Sequence, residues 1–236
     1  NVSVFNGPNS EIEDGDEILL NYGNFPNEKF LMIYGFTMPQ NPHDAVQIYA
    51  PIPPSDPLYT LKTGILQNHC GIDDPYAPHA LMLKPEDETI LPQSLLSTLR
   101  LMGLQEMDEL MQLVDGKPEG LDEGIGMISV ENESRALMAL ANALHSMARR
   151  IALNLISDQG LKAGSSVNDD FDYYDDDDSD TVDTENENKV SATESNINLQ
   201  NCDTLCRSEF GILQAALEEI QERQEDLQVL IDEGIN

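Results

Sequence analysis

From Asn132 to Leu155 the apolar residues fall on one helical stripe. Leu137, Leu140, Ala141, Leu144, Met147, Ala148, Ile151 and Leu155 recur every three or four positions. That spacing predicts a long amphipathic helix, capped by Asn132 and ended by Gly160. A second stripe, Leu213, Ala216, Leu217, Ile220, Leu227, Leu230 and Ile231, predicts another long helix over Leu205–Ile231. Each stripe needs an apolar partner, and pairing the two as a hairpin supplies it. Shorter stripes predict a helix from Asp56-Pro57 through Asn68 and one opened by Pro92 and stopped by Gly103. A third short helix is expected over Glu106–Val114.

Ahead of these helices the pattern is shorter and more broken. Val2–Phe5, Glu17–Tyr22 and Ala45–Ala50 are strand candidates, and Asn6-Gly7-Pro8-Asn9 reads as a turn. Asn27 stands as an N-cap for a brief helix that carries Phe30, Leu31 and Tyr34. Ile52-Pro53-Pro54-Ser55-Asp56-Pro57 then interrupts regular structure, so a domain boundary is expected there. The fold class that follows is α+β. A β-rich segment over 1–50 leads into a mainly α-helical domain over 51–164 that resumes with a closing helix over 197–236.

Between those helical parts, residues 165–196 are rich in Asp, Glu, Ser and Asn and poor in apolar side chains. Ordering such a stretch costs more conformational entropy than burial returns, so an acidic, disordered insertion is expected. Within it, Phe171, Tyr173 and Tyr174 read as part of a solvated loop. Residues 168–188 hold 11 acids and no base, and the whole chain carries a net charge of -32. Even residues 1–164 carry 23 acids against 9 bases. A surface of this sign repels nucleic-acid phosphates and anionic lipid and attracts basic partners. No apolar run reaches the length of a membrane-spanning helix.

Candidate chemistry sits near the start, in Asp16-Glu17-Ile18-Leu19-Leu20-Asn21-Tyr22-Gly23 and in Tyr34-Gly35-Phe36 after the brief helix. With Asn41-Pro42-His43-Asp44-Ala45-Val46, these segments resemble the C-terminal end of a SET methyltransferase domain. The branch is that of the Rubisco large-subunit lysine methyltransferases. Ser55-Asp56-Pro57-Leu58, the run Leu91–Leu101 and the Glu-rich closing helix are similar to that branch's helical substrate-binding domain. The resemblance covers residues 11–164 and 197–236.

The resemblance implies a protein-lysine methyltransferase that uses S-adenosylmethionine, with the helical half docking a protein substrate that presents a lysine. It implies Tyr22 as the active-site tyrosine. Tyr34 and Phe36 would line the cofactor or lysine channel, and Asn21 would stand beside them. Such roles suit these residues. A tyrosine hydroxyl both donates and accepts hydrogen bonds, and aromatic faces favour a cationic methyl donor. The family's glycine-rich cofactor loop and upstream Asn-His motif are missing. Glu28-Lys29 stand where its members have a small residue and then Glu. The chain therefore reads as a fragment, and by itself it is expected not to bind cofactor or turn over. A histidine acceptor and a non-enzymatic interaction module stay open as alternatives.

Three cysteines, Cys70, Cys202 and Cys206, are too few for a disulfide framework and have no second Cys/His pair to complete a zinc site. No metal is expected, and the compartment reads as reducing and intracellular, whether cytoplasm, nucleus or plastid. Asn68-His69-Cys70 looks like the family's Asn-His motif but follows Tyr22 instead of preceding it, and reads as a polar helix end. His43, His79 and His145 are scattered, with His145 on the flank of its helix.

Overall fold

A computed structural model describes residues 21–83, 88–115, 124–164 and 184–234. The elements in chain order are α1 (Asn27–Tyr34), β1 (Val46–Ile48), α2 (Tyr59–His69), β2 (His79–Leu81), α3 (Gln93–Met102), α4 (Met107–Asp115), α5 (Val130–Gly164) and α6 (Thr184–Asp232). The described chain is thus mainly helical, with one two-stranded antiparallel sheet. Val46 pairs with Leu81, Gln47 with Ala80 and Ile48 with His79. The expected strand Val2–Phe5, the turn after it, residues 17–20 and the insertion over 165–183 lie outside the described residues. Asn21 and Tyr22, the end of the expected Glu17–Tyr22 strand, are in irregular backbone.

The two long stripes meet as the periodicity requires. Leu137, Leu140, Leu144 and Ala148 of α5 pack with Ile212, Leu213, Ala216, Ile220 and Leu227 of α6. Leu95, Leu96 and Leu99 of α3 close this core from the side, and Val46, Ile48 and Leu81 of the sheet complete it. Strand β1 therefore shares a core with the helices that follow it. A second cluster gathers Ile52, Ile65, Leu66, Leu101, Leu104, Leu110 and Ile125. The proline-rich interruption is a packed corner: Ile52 is buried, and Asp56 binds the buried Lys62 ammonium at 2.6 Å.

Several helix ends differ from the sequence reading. Helix α5 starts at Val130, because the Ser129 hydroxyl accepts the Asn132 N–H at 3.1 Å and so caps the first turn. Asn132 sits inside that turn and donates its side-chain amide to the Arg100 carbonyl at 3.0 Å. Nearby, Arg100 grips Glu133 through two bonds of 2.5 and 2.7 Å, both side chains buried, tying α3 to α5. Gly160 does not end α5, which runs to Gly164. Helix α6 begins at Thr184 rather than at 197 or 205. Ile231, expected on the buried stripe, is exposed, while Ile212 is fully buried.

Candidate functional site

Helix α1 is eight residues long and ends on Gly35, whose backbone is left-handed at φ 77° and whose N–H returns to the Leu31 carbonyl at 3.1 Å. That reversal turns Phe36 back onto the helix. Its ring stacks on Phe30 with centroids 5.2 Å apart. Phe30 and Tyr34, one helical turn apart, share that face at 6.3 Å. Tyr22 approaches from the preceding segment and lies 4.6 Å from Tyr34 and 5.6 Å from Phe36. Phe25 extends the cluster towards Phe30 at 6.0 Å, with the Lys29 ammonium 3.9 Å above its ring.

Three residues singled out from sequence, Tyr22, Tyr34 and Phe36, therefore meet in one aromatic wall. Asn21 enters differently. Its side-chain oxygen accepts the Gly23 N–H at 2.8 Å, forming the turn that presents Tyr22. Gly23 has φ 97°, and a Cβ there would meet the Phe25 ring at 3.2 Å. Tyr22 and Tyr34 are 45% and 42% exposed, so the described residues build a wall that is open on one side.

What fixes this wall escaped the sequence reading. Asn27 is not the cap but the first helical residue, and it is fully buried. Pro26 holds the cap position, and the distant Asp44 serves the first turn instead: its carboxylate accepts the Asn27 backbone N–H at 2.8 Å and its side-chain amide at 2.7 Å. Asn27 also exchanges hydrogen bonds with the Met38 backbone, at 2.8 and 3.1 Å. The Ser208 hydroxyl of α6 donates to the same Asp44 carboxylate. Two turns earlier on the same face, Asn201 of α6 donates to the Gly35 carbonyl at 3.1 Å and accepts the Thr37 N–H at 3.1 Å. The signal in the sequence was faint. Asn201 and Ser208 share a helical stripe with Ile212 and Ala216, where a polar residue must find a buried partner.

Acidic groups gather at this seam. Burial, aided by the carboxylates of Glu28 and Asp44, pushes the Glu209 carboxyl of α6 up to about 7. Elsewhere, His79 is buried with Nδ1 2.9 Å from the Ser94 hydroxyl, and burial lowers its pKa. Burial pushes the Cys70 thiol up to about 11, far from the reactive range. His69 is the last residue of α2, and His145 is exposed on α5. Among the described residues no group of three or more His, Cys, Asp or Glu is placed to hold a metal ion. Among them, too, no helix is long and apolar enough to cross a membrane.

Residues 53–213 match the family model described as Rubisco LSMT substrate-binding. The match starts inside the proline-rich corner and spans α2 to the middle of α6. Over 59 residues the chain is 41% identical to a protein of Schizosaccharomyces pombe (strain 972 / ATCC 24843) named ribosomal lysine N-methyltransferase set10. That stretch is 25% of this chain and 11% of the length of that relative.

Proposed function

We infer the function from one premise: this chain belongs to the Rubisco LSMT substrate-binding family. It is the substrate-docking portion of a protein methyltransferase that uses S-adenosylmethionine and acts on a lysine. In this reading the residues before the proline-rich corner are the C-terminal end of the SET domain. The helical part holds a basic protein substrate against them. The family match and the similarity to a protein named as a ribosomal lysine N-methyltransferase support the class of reaction. The observation that carries the reading is the meeting of Tyr22, Tyr34 and Phe36 on one half-exposed wall beside the matched domain.

The residues fit the chemistry. S-adenosylmethionine supplies a methyl group on a positively charged sulfur, and aromatic faces stabilise such a cation. Tyr22 contributes a hydroxyl that orients the incoming amine, which must stand in line with the bond that breaks. Tyr34 lines the channel and strips water from the lysine stem, with Phe36 behind it holding both rings. Asn21 acts through the turn that presents Tyr22.

In the complete methyltransferase, Tyr22→Phe removes only the hydroxyl and lowers turnover by roughly ten- to thousand-fold. Unchanged turnover takes Tyr22 out of the mechanism. Mass spectrometry of the methylated protein separates a lysine product from a histidine product, the latter overturning the lysine assignment.

The exposure of the wall favours a second reading for the chain on its own, that of a non-enzymatic docking module. With Tyr22 and Tyr34 nearly half exposed, the described residues give a small ligand one wall and little of the burial that pockets provide. Calorimetry of this chain with S-adenosylmethionine is expected to show no saturable binding; micromolar binding sinks the module reading.

A further inference from the structure

On α2, Leu61, Gly64, Ile65 and Asn68 lie on one stripe, and on α4 Leu110 and Met111 face them. Between the two helices runs a groove of about 260 Å³. Ile65 and Leu110, 7% and 1% exposed, form its floor, and both belong to the second core cluster. Its walls are Leu61 and Met111, 40% and 49% exposed, with Met107 also exposed a turn before Met111. Gly64 opens the middle. A Cβ at that position would meet only the Asn68 side-chain nitrogen, at 3.9 Å. The space is below the roughly 300–1,000 Å³ of pockets that take a whole small molecule, and it suits one or two inserted side chains. Methionine walls adapt to anchors of different shape.

Among the described residues, the groove's two helices are flanked by exposed carboxylates. Glu106 and Asp108 bracket Met107, and Asp73 and Asp74 follow the end of α2; all four are exposed. The one Lys or Arg in the two helices is Lys62, and its ammonium is buried on Asp56 at 2.6 Å, so it does not offset the rim. Among the described residues, an occupant of the groove thus has exposed carboxylates on the segments next to it and no exposed Lys or Arg on the two helices themselves.

We propose that the α2–α4 groove is a docking site for a polypeptide segment that inserts an apolar side chain flanked by lysine or arginine. The proposal rests on the reading that the helical part docks a protein, and it names the place and the chemistry of the contact. The segment's apolar anchor displaces water from Leu61, Ile65, Leu110 and Met111, and its basic flanks face Glu106, Asp108, Asp73 and Asp74.

Fluorescence anisotropy of the whole chain with two labelled peptides tests it. One peptide carries leucine at helical spacing among lysines; the other has the same lysines with serine for each leucine. The leucine peptide is expected to bind at least about tenfold more tightly than the serine peptide. Gly64→Leu fills the groove and weakens the leucine peptide by at least about tenfold, while the melting temperature holds or rises. The pair Glu106→Gln and Asp108→Asn weakens it several-fold and flattens its salt dependence. Equal binding of the two peptides, or affinity untouched by both Gly64→Leu and Met111→Ser, overturns the proposal. Such a failure leaves the methyl-transfer reading standing, because that reading is decided by the turnover of Tyr22→Phe.

Discussion

Between Ile212 and Leu227, helix α6 is held mainly by hydrocarbon, with Glu219 bonded to Thr89 and Ile90 at its flank; between Asn201 and Ser208 the same helix is held by hydrogen bonds. The apolar stretch faces α5, where Leu137 and Leu144 are fully buried, and any well-filled set of aliphatic side chains would serve there. The polar stretch faces the segment from Gly35 to Asp44, and each of its groups has a particular partner. Hydrocarbon supplies most of the adhesion without fixing where along α6 the neighbour sits. Asn201 on Gly35 and Thr37, with Ser208 on Asp44, fixes that position and with it the aromatic wall.

The apolar half is where a single change costs most. Leu213→Ala, at a fully buried position, is expected to lower unfolding free energy by about 2–5 kcal/mol, read by urea denaturation. A loss within the range of surface substitutions would mean that α5 and α6 are not packed as described. In the polar half, Asp44→Ala removes the acceptor of the Asn27 N–H, of one of the two Asn27 amide bonds and of the Ser208 hydroxyl. The expected loss is about 1–3 kcal/mol, with faster amide exchange confined to α1 and the turn after it. Uniform acceleration across α5 would erase the distinction between the two halves. Gly35→Ala forces a side chain into a left-handed turn and is expected to cost about 1 kcal/mol. Tyrosine fluorescence should report a loosened wall in that variant.

Smallest in effect, and sharpest in contrast, are two glutamates of α6. Glu209, at the polar end, has a folded pKa of about 7 against an ordinary 4.5, raised by burial and then by Glu28 and Asp44. Its protonated form favours the folded state, so its contribution is full below pH 4.5 and is lost as pH rises towards 7. Glu219, beside the apolar stripe, is partly buried, which opposes ionisation. Bonds from the Thr89 hydroxyl, the Ile90 N–H and Arg223 outweigh that and lower its pKa. Its contribution is present above pH 4.5 and is lost as pH falls through its folded value. Melting temperature against pH for Glu209→Gln and Glu219→Gln should lose opposite slopes; parallel curves would refute the assignment.

The legible parts of this chain were those written as repetition. Leu137 to Leu155 and Leu213 to Leu230 announce their partners through spacing alone, and α3 and α4 do so over shorter runs. Strand β2 has only three residues, too few to show a period, and it exists because Val46–Ile48 is there to pair with it. The local chemistry of Asn27 and of Asn132 allows each to be a cap. Tertiary partners, Asp44 and the Arg100 carbonyl, claimed their side chains instead. At the candidate site the tyrosines could be picked out from sequence, whereas their fastening could not. Asp44, Asn201 and Ser208 become meaningful only when segments far apart in the chain touch.

That distance has a consequence for how the molecule is made. Thr37 and Asn201 are 164 positions apart, as are Asp44 and Ser208. A ribosome releases α1 well before the matching turn of α6. Closing so long a loop is slow and must wait for the late segment to emerge. Until then Tyr22, Tyr34 and Phe36 are attached to the same peptide without being locked into a surface. An interrupted product that stops short of Asn201 would carry every aromatic residue of the wall and lack the α6 bonds that hold it. Helix α6 thus acts as a completion mark, and the wall takes its working shape only once that helix has been made.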